Sequence, residues 1–417
     1  MRLWIVNQNA YAPFHSAGTR HWALARHLIE RGHEVTVVAT SFFHKTRIET
    51  RLEPGEEFKH EVVDGVPFCW IRSTPYKGNS IDRLLNMVSF SWRVWRERGL
   101  KQLPRPDIIL GSSPHPLAAL AAQRLAARYK IPFVAEIRDL WPETFISLGK
   151  LNRWHPLAQM FYRLERHLYR SADRIVSVLS GARDYIESHG GHGDKFHCIP
   201  NGVELSMVPE PAAPKRSDRF TLMYAGSHGL INELGVLLDA AKELQTEFSP
   251  SKLRIQLVGD GLEKPRLIER AKLEEIQNIE FLASVPKNEI YRKLQTADAF
   301  VMVMKDLDIY RWGMSPNKLF DYLACSRPTI LSSCSAFDPI GASGGGVVVK
   351  PGSVPDLVNG IRQIVNLTHQ QREAMGRRGR NYVEQHFSFA YLAEELEKVL
   401  LRALPNQPNA ATYRKAA

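Results

Sequence analysis

Apolar residues in this chain follow two rhythms. Short, mostly apolar runs such as Leu3–Val6, Val35–Ala39, Ile108–Leu110, Pro132–Ile137 and Ile175–Val178 read as strands buried on both faces. Between them lie longer stretches with apolar positions on one side of a 3.6-residue period, which read as helices. The first such helix carries Trp22, Ala23, Leu28 and Ile29 and stops at Arg31-Gly32-His33. Val62-Val63 and Pro67–Ile71 flank Asp64-Gly65, the pair that a tight antiparallel hairpin requires. Lys195–Ile199 is a further strand, followed by Pro200-Asn201-Gly202. The rhythm then restarts with strands at Phe220–Tyr224, Leu253–Val258, Ile279–Leu282, Ala299–Met304, Thr329–Leu331 and Val347–Val349, each followed by a helical stretch or a loop.

Two strand–helix alternations predict an α/β protein of two doubly wound, Rossmann-like domains facing a cleft. The division expected is 1–202, a Pro-rich polar linker at 203–218, a second domain at 219–385, a helix over 386–402 and a disordered tail at 403–417. Two stretches are basic and carry Trp. Over 81–103, Leu84, Leu85, Val88, Trp92 and Trp95 lie broadly on one side, among Arg83, Arg93, Arg96, Arg98 and Lys101. A second runs over 153–170 with Trp154, Met160 and Phe161. Such stripes suit either a core or a membrane surface.

Composition narrows the field. With 44% hydrophobic and 24% charged residues in 417, the chain has material for two cores. Four cysteines lie scattered without C-x-x-C spacing, which argues against a zinc site or disulfide framework and fits a reducing cytosol. No apolar run is long enough to span a bilayer and Met1-Arg2-Leu3 enters a strand directly, so neither a transmembrane helix nor a signal peptide is expected. A net charge of +11 allows nucleic acid, an anionic membrane or an anionic substrate.

Candidate chemistry gathers at strand ends and helix starts. In Tyr310–Pro328, Ser315 reads as an N-cap and Pro316 as the first helical residue, with Asn317 and Lys318 in the first turn and Asp321 on the same face. A lysine there opposes the helix dipole, and a bound phosphate would compensate it. Asp321 would then accept from sugar hydroxyls. Gly226-Ser227-His228-Gly229 and Gly259-Asp260-Gly261 are small-residue loops after strands, and together with Lys318 they suggest a nucleoside diphosphate site. Gly18 ends the loop after the first strand, which is not G-x-G-x-x-G and so lacks a dinucleotide fingerprint. His115 sits between a strand end and a helix start, as a capping residue or a ligand contact. Glu136, Arg138 and Asp139 close another strand, as an internal ion pair or as the wall of a crevice.

In this order the motifs resemble the retaining glycosyltransferases of family 4, which have the GT-B fold. The match runs the whole length: the small-residue loop, Arg31-Gly32-His33-Glu34-Val35, Ile199-Pro200-Asn201-Gly202-Val203, Leu257-Val258-Gly259-Asp260-Gly261, Ala297-Asp298 and Ser315–Tyr322. Arg138–Glu143 and Gly226–Gly229 are similar to a subgroup building bacterial surface polysaccharides, including N-acetylfucosamine transferases. The resemblance implies an N-terminal acceptor domain, a C-terminal nucleotide-sugar domain and a last helix crossing back to the first. His115 corresponds to the family's active-site histidine, Lys318 to the diphosphate and Asp321 to the ribose, with Ser284–Lys287 near the base. The family's E-x7-E pattern is incomplete, because Gly313 stands at the first acidic position and Asp321 at the second. Ser227 and Asn232 fall near the positions of a common Arg and Lys, leaving Lys318, Arg311 and Arg138 to meet the phosphate charge.

The expectation is transfer of a sugar from a UDP-sugar co-substrate, with retention and with no metal or other cofactor, to a lipid-linked saccharide. The protein would be cytoplasmic and peripheral on the anionic inner face of the membrane. Asp306-Leu307-Asp308 resembles a D-x-D metal motif but lies outside its usual fold context. A UDP-sugar epimerase on the same fold is an alternative, and a nucleic-acid-binding protein another; the scattered basic residues form no recognisable nucleic-acid motif.

Overall fold

The protein is described here from a computed structural model, covering residues 1–13, 19–44, 46–78, 81–210 and 219–405. The chain forms two compact units. One contains the chain up to Ala12, the stretch to Pro200 and everything from Phe389 on; the other contains Asn201–Ser388. Gly18 lies outside the described residues, as do 211–218 of the expected linker and the tail from 406.

The first unit is built on an eight-stranded sheet in the order 196–198, 174–177, 133–137, 108–113, 2–6, 34–40, 66–71, 58–63. All neighbours pair parallel except the last two, joined by the hairpin at Asp64-Gly65, where both residues have positive φ. The strand order reverses at Arg2–Val6, so the ends of that strand and of Ile108–Ser113 open the crevice where such sheets bind ligands. The second unit has a six-stranded, all-parallel sheet in the order 279–282, 253–258, 220–225, 299–303, 329–332, 346–349. Its reversal falls between Phe220–Ala225 and Ala299–Val303. Two buried clusters fill its two faces, one around Phe300, Phe320 and Tyr322, the other around Leu237, Leu257 and Ile361.

Several expectations are corrected. Helix Ile81–Trp95 does not continue to 103; Glu97 and Gly99 take positive φ and break it. Its core face is Asn86, Phe90 and Val94, while Leu84, Leu85, Val88 and Trp92 are exposed. Residues 203–210 are not a free linker, because Val203 and Val208 are buried in the second unit's core and Val203 pairs with Ser388. The last helix, Phe389–Ala403, belongs to the first unit and packs on helix Arg20–Glu30 through its Leu392, Leu396 and Leu400 face.

Candidate functional site

In the second unit, three segments meet at the strand reversal. Helix Asn317–Ala324 begins one residue later than the sequence suggests: Pro316 occupies the N-cap position, and no side chain caps the helix. Ser315 is not its cap, because Asn201 holds it. The Asn201 backbone N–H donates to Ser315 Oγ at 2.7 Å, and its side-chain amide donates to the Ser315 carbonyl at 2.5 Å. Asn201 of the Pro-Asn-Gly turn thus fixes the entry to the helix and leaves its first-turn N–H groups uncapped by any side chain.

Lys318 projects from that first turn toward the loop after Phe220–Ala225. Its Nζ donates to Tyr224 Oη at 2.9 Å and to Asn232 Oδ1 at 2.5 Å, and lies 4.5 Å from the Tyr224 ring centroid. Lys318 forms no ion pair with a described residue, and burial pushes its pKa down to about 7. Gly226 permits this approach, since a Cβ there would lie 3.3 Å from Lys318 Nζ. Two hydrogen bonds to the Ser227 carbonyl, from Tyr224 Oη and Asn232 Nδ2, shape the loop around the ammonium. Tyr322, one turn along the same helix, both accepts from the Ala225 N–H and donates to the Ala225 carbonyl, so helix and strand end move as one body.

The Gly259-Asp260-Gly261 loop closes over His228. At Gly259 a Cβ would sit 1.9 Å from the Gly226 carbonyl oxygen, with φ at +146°, so only glycine fits. The His228 N–H donates to the Asp260 carbonyl, and the ring is fully buried among Tyr224 and Phe281. Neither ring nitrogen has a partner among the described residues. Burial, aided by the charge of Lys264, pushes its pKa down to about 4, so the ring is neutral near pH 7. Asp260 Oδ1 accepts from the Gly261 N–H and thereby shapes its own turn. Lys264, unremarked in the sequence, donates to the carbonyls of Gly259 and Leu282 and ties this loop to the neighbouring strand.

Asp321 is buried, and its Oδ1 accepts from Tyr291 Oη at 2.6 Å. Arg311 is exposed, its guanidinium over the adjacent Trp312 ring. Asp306 accepts from the Cys334 thiol, and among the described residues no three His, Cys, Asp or Glu side chains group as metal ligands.

In the first unit, His115 caps helix Pro116–Tyr129. Its Nδ1 accepts from the Ala118 N–H and its Nε2 donates to Gln8 Oε1. Burial pushes its pKa down to about 3, with a contribution from Arg83, so it is a neutral imidazole near pH 7. Glu136, at the end of its strand, forms a buried trio: Arg20 Nε lies 2.9 Å from one carboxylate oxygen and His21 Nε2 2.6 Å from the other. Burial works against the Glu136 charge, and His21 and Arg20 outweigh it, holding the carboxyl well below its usual range. Arg20 also donates to the carbonyls of Ile199 and Pro200, fixing the chain just before it enters the second unit. Arg138 takes no part in that trio as a hydrogen-bond partner; its backbone N–H donates to Ser113 Oγ.

The reversal point of the second unit's parallel sheet thus carries an uncapped helix start, a lysine with no carboxylate partner among the described residues and a glycine-lined loop, an arrangement with the chemistry to receive an anion. The comparisons with known proteins agree in class. Residues 17–202 match the model "Glycosyl transferase 4-like domain" and residues 219–366 match "Glycosyl transferases group 1". The chain is a glycosyltransferase with a family-4-like N-terminal domain and a group 1 C-terminal domain, of the GT-B fold. Among solved structures it is similar to sucrose-phosphate synthase from Thermosynechococcus elongatus, with TM-score 0.73, 14% identity and coverage of 95% of this chain and 98% of that one. It is also similar to HepE of Anabaena in complex with UDP and glucose, with TM-score 0.68, 14% identity and coverage of 96% and 99%. WaaG, a glycosyltransferase involved in lipopolysaccharide biosynthesis, aligns with TM-score 0.67, 14% identity and coverage of 96% and 99%. No curated protein sequence matches the chain.

Proposed function

We propose that the protein transfers a sugar, an N-acetylated deoxyhexosamine being the expected class, from a UDP-sugar to a lipid-linked saccharide with retention of configuration, in the synthesis of a bacterial surface polysaccharide. The observation that carries this reading is Lys318 at an uncapped helix start with no carboxylate among the described residues to neutralise it. HepE, similar in fold, has been solved with UDP and glucose, which supports a UDP-linked donor. In the reaction, the bond from the anomeric carbon to the β-phosphate oxygen breaks while the bond to the acceptor oxygen forms on the same face. The acceptor's hydroxyl proton passes to the departing phosphate, and UDP leaves. Negative charge grows on that phosphate, and the first-turn N–H groups with Lys318 stabilise it. Lys318 reaches Asn232, so it supplies from the helix the cation that the loop lacks. Asp321 is assigned to the ribose hydroxyls, and Gly226, His228, Gly259, Asp260, Ser315, Pro316 and Asn317 to the walls of the donor site. His115 acts as a neutral positioning group and Arg138 as a cation beside the reacting centre; no metal or other cofactor is assigned.

Thermal unfolding in the presence of a panel of UDP- and GDP-sugars tests the donor. A rise in midpoint with one UDP-sugar and none with GDP-sugars is expected, and no response to any of them removes the reading. Turnover is expected to persist in EDTA; loss restored by Mn²⁺ would overturn the metal-free step. The membrane part rests on helix Ile81–Trp95, where Ile81 is 74% and Trp92 55% exposed beside Arg96. No helix among the described residues is long and apolar enough to cross a membrane. Cosedimentation with anionic liposomes at low salt is expected, and its absence would count against a membrane-bound acceptor.

A further inference from the structure

Asp321 is an unusual occupant of its position. Helix Asn317–Ala324 buries Leu319, Phe320, Tyr322 and Leu323, and Asp321 is buried with them. A buried carboxylate costs free energy unless it is hydrogen-bonded, and an apolar side chain would fill the same space at lower cost. Its partner comes from helix Lys287–Leu294. Tyr291 is 2% exposed, its ring belongs to the same core cluster as Phe320 and Tyr322, and its hydroxyl donates to Asp321 Oδ1 at 2.6 Å.

That bond has the length of a charge-assisted one. Burial, with the Asp321 charge, holds the Tyr291 phenol well above its ordinary pKa, so the hydroxyl stays a donor. One helix sets the root of the carboxylate and a hydroxyl from another sets one of its oxygens, which together fix the orientation of the group. An ionised carboxylate accepts at about four sites, so the one given to Tyr291 is compatible with two hydroxyl donors. Asp321 follows Lys318 by three residues, about 4.5 Å along the helix axis, so one nucleotide can span both. The helix carrying Tyr291 follows strand Ile279–Leu282, whose last carbonyl shares Lys264 with that of Gly259. Tyr291 therefore ties the helix bearing Lys318 to the segment beside the glycine loop.

We infer that Tyr291 is a positioning residue: its hydroxyl holds the Asp321 carboxylate in the orientation that receives the two ribose hydroxyls, and this pair makes the site selective for ribonucleotides over deoxyribonucleotides. The inference rests on the reading of the second unit as a UDP-sugar site. Lys318 and the first-turn N–H groups meet the phosphates of either kind of nucleotide alike, so the ribose preference isolates what Tyr291 does through Asp321.

Calorimetric titration of the full-length protein with UDP and with 2′,3′-dideoxy-UDP tests this on wild type, Tyr291→Phe, Asp321→Asn and the double variant. Wild type is expected to bind UDP roughly tenfold or more tighter than the dideoxy nucleotide. Tyr291→Phe should cut that ratio about threefold or more, while its affinity for the dideoxy nucleotide stays within about twofold of wild type, which also shows that the variant is folded. Asp321→Asn should lower the ratio as well. Adding Tyr291→Phe to it should change the ratio by less than about twofold, because no carboxylate remains to be oriented. A ratio undiminished in Tyr291→Phe, an equal loss of affinity for both nucleotides, or a further drop in the double variant overturns the inference. Equal binding of the two nucleotides by wild type also overturns it and leaves the donor reading standing. Failure of wild type to bind UDP removes the donor reading and this inference with it.

Discussion

The two units use the same architecture, a parallel sheet with a reversal point, and treat polar groups at that point in opposite ways. In the first unit, Glu136 is saturated by Arg20 and His21, Asn7 donates to Ser112, and His115 and Asn86 are joined through Gln8. In the second, among the described residues, both ring nitrogens of His228 are buried without partners and Lys318 is held only by neutral groups. Buried polar groups that find partners internally hold a shape, whereas those left incomplete cost free energy until something binds. The contrast therefore separates scaffold from ligand site.

The contrast can be broken most directly at Glu136. Glu136→Ala leaves the buried Arg20 guanidinium without its counterion and His21, whose pKa burial pushes down, without its acceptor, and is expected to cost about 3–5 kcal/mol of unfolding free energy, read by urea denaturation; a change under about 1 kcal/mol would mean that the trio is not structural. Lys318→Ala should behave in the reverse manner. UDP binding is expected to weaken by about 1.5–3 kcal/mol in calorimetry, while the unfolding midpoint does not fall. Loss of stability without loss of affinity would make Lys318 scaffold.

The pH dependence sharpens the same point. The Lys318 pKa lies near 7 in the fold against 10.5 for the ordinary side chain, so over that window the unfolded chain binds the extra proton. Its contribution to stability therefore increases as pH rises from about 7 toward 10.5, and Lys318→Met should remove that slope. UDP affinity runs the other way: it should decline as pH rises through about 7, because the anion needs the charged amine. A flat affinity profile from pH 6 to about 9 would show that Lys318 is charged without ligand. The smallest effect is expected at Asn201→Ala, which loses the side-chain amide's hydrogen bond to the Ser315 carbonyl but keeps the backbone one, and should cost about 1 kcal/mol of second-unit stability by thermal denaturation.

What the sequence revealed depended on how local the cause was. The strands and the Asp64-Gly65 hairpin follow from apolar runs and turn chemistry within a few residues, and each expected strand is found, with ends shifted as at Ile108–Ser113 and Phe58–Val63; the short pair Phe42–Phe43 and Ile48–Glu49 was not foreseen. The cap at Ser315 was misread because its real partner, Asn201, is 114 residues away. Glu136 was seen as a charged strand end, but its partners Arg20 and His21 lie 116 and 115 residues earlier. The stripe on helix Ile81–Trp95 fitted both a core and a surface by period alone; only packing shows that Asn86, Phe90 and Val94 face inward. Lys264 gave no signal, since a lysine opening a helix near a glycine loop looks like any solvated residue. The link of Tyr291 to Asp321 was likewise invisible, joining two helices 30 residues apart.

The return of the last helix has a consequence for how the protein is made. Phe389–Ala403 covers helix Arg20–Glu30, and Glu397 takes both Arg31 and His33. The ribosome therefore releases the first unit's opening two hundred residues long before the helix that completes them, with the entire second unit synthesised in between. The second unit can finish while the first still waits with an uncovered apolar face. A fragment ending at Pro200 would keep that face exposed, so a separately expressed first unit needs 389–403 supplied in trans or grafted on.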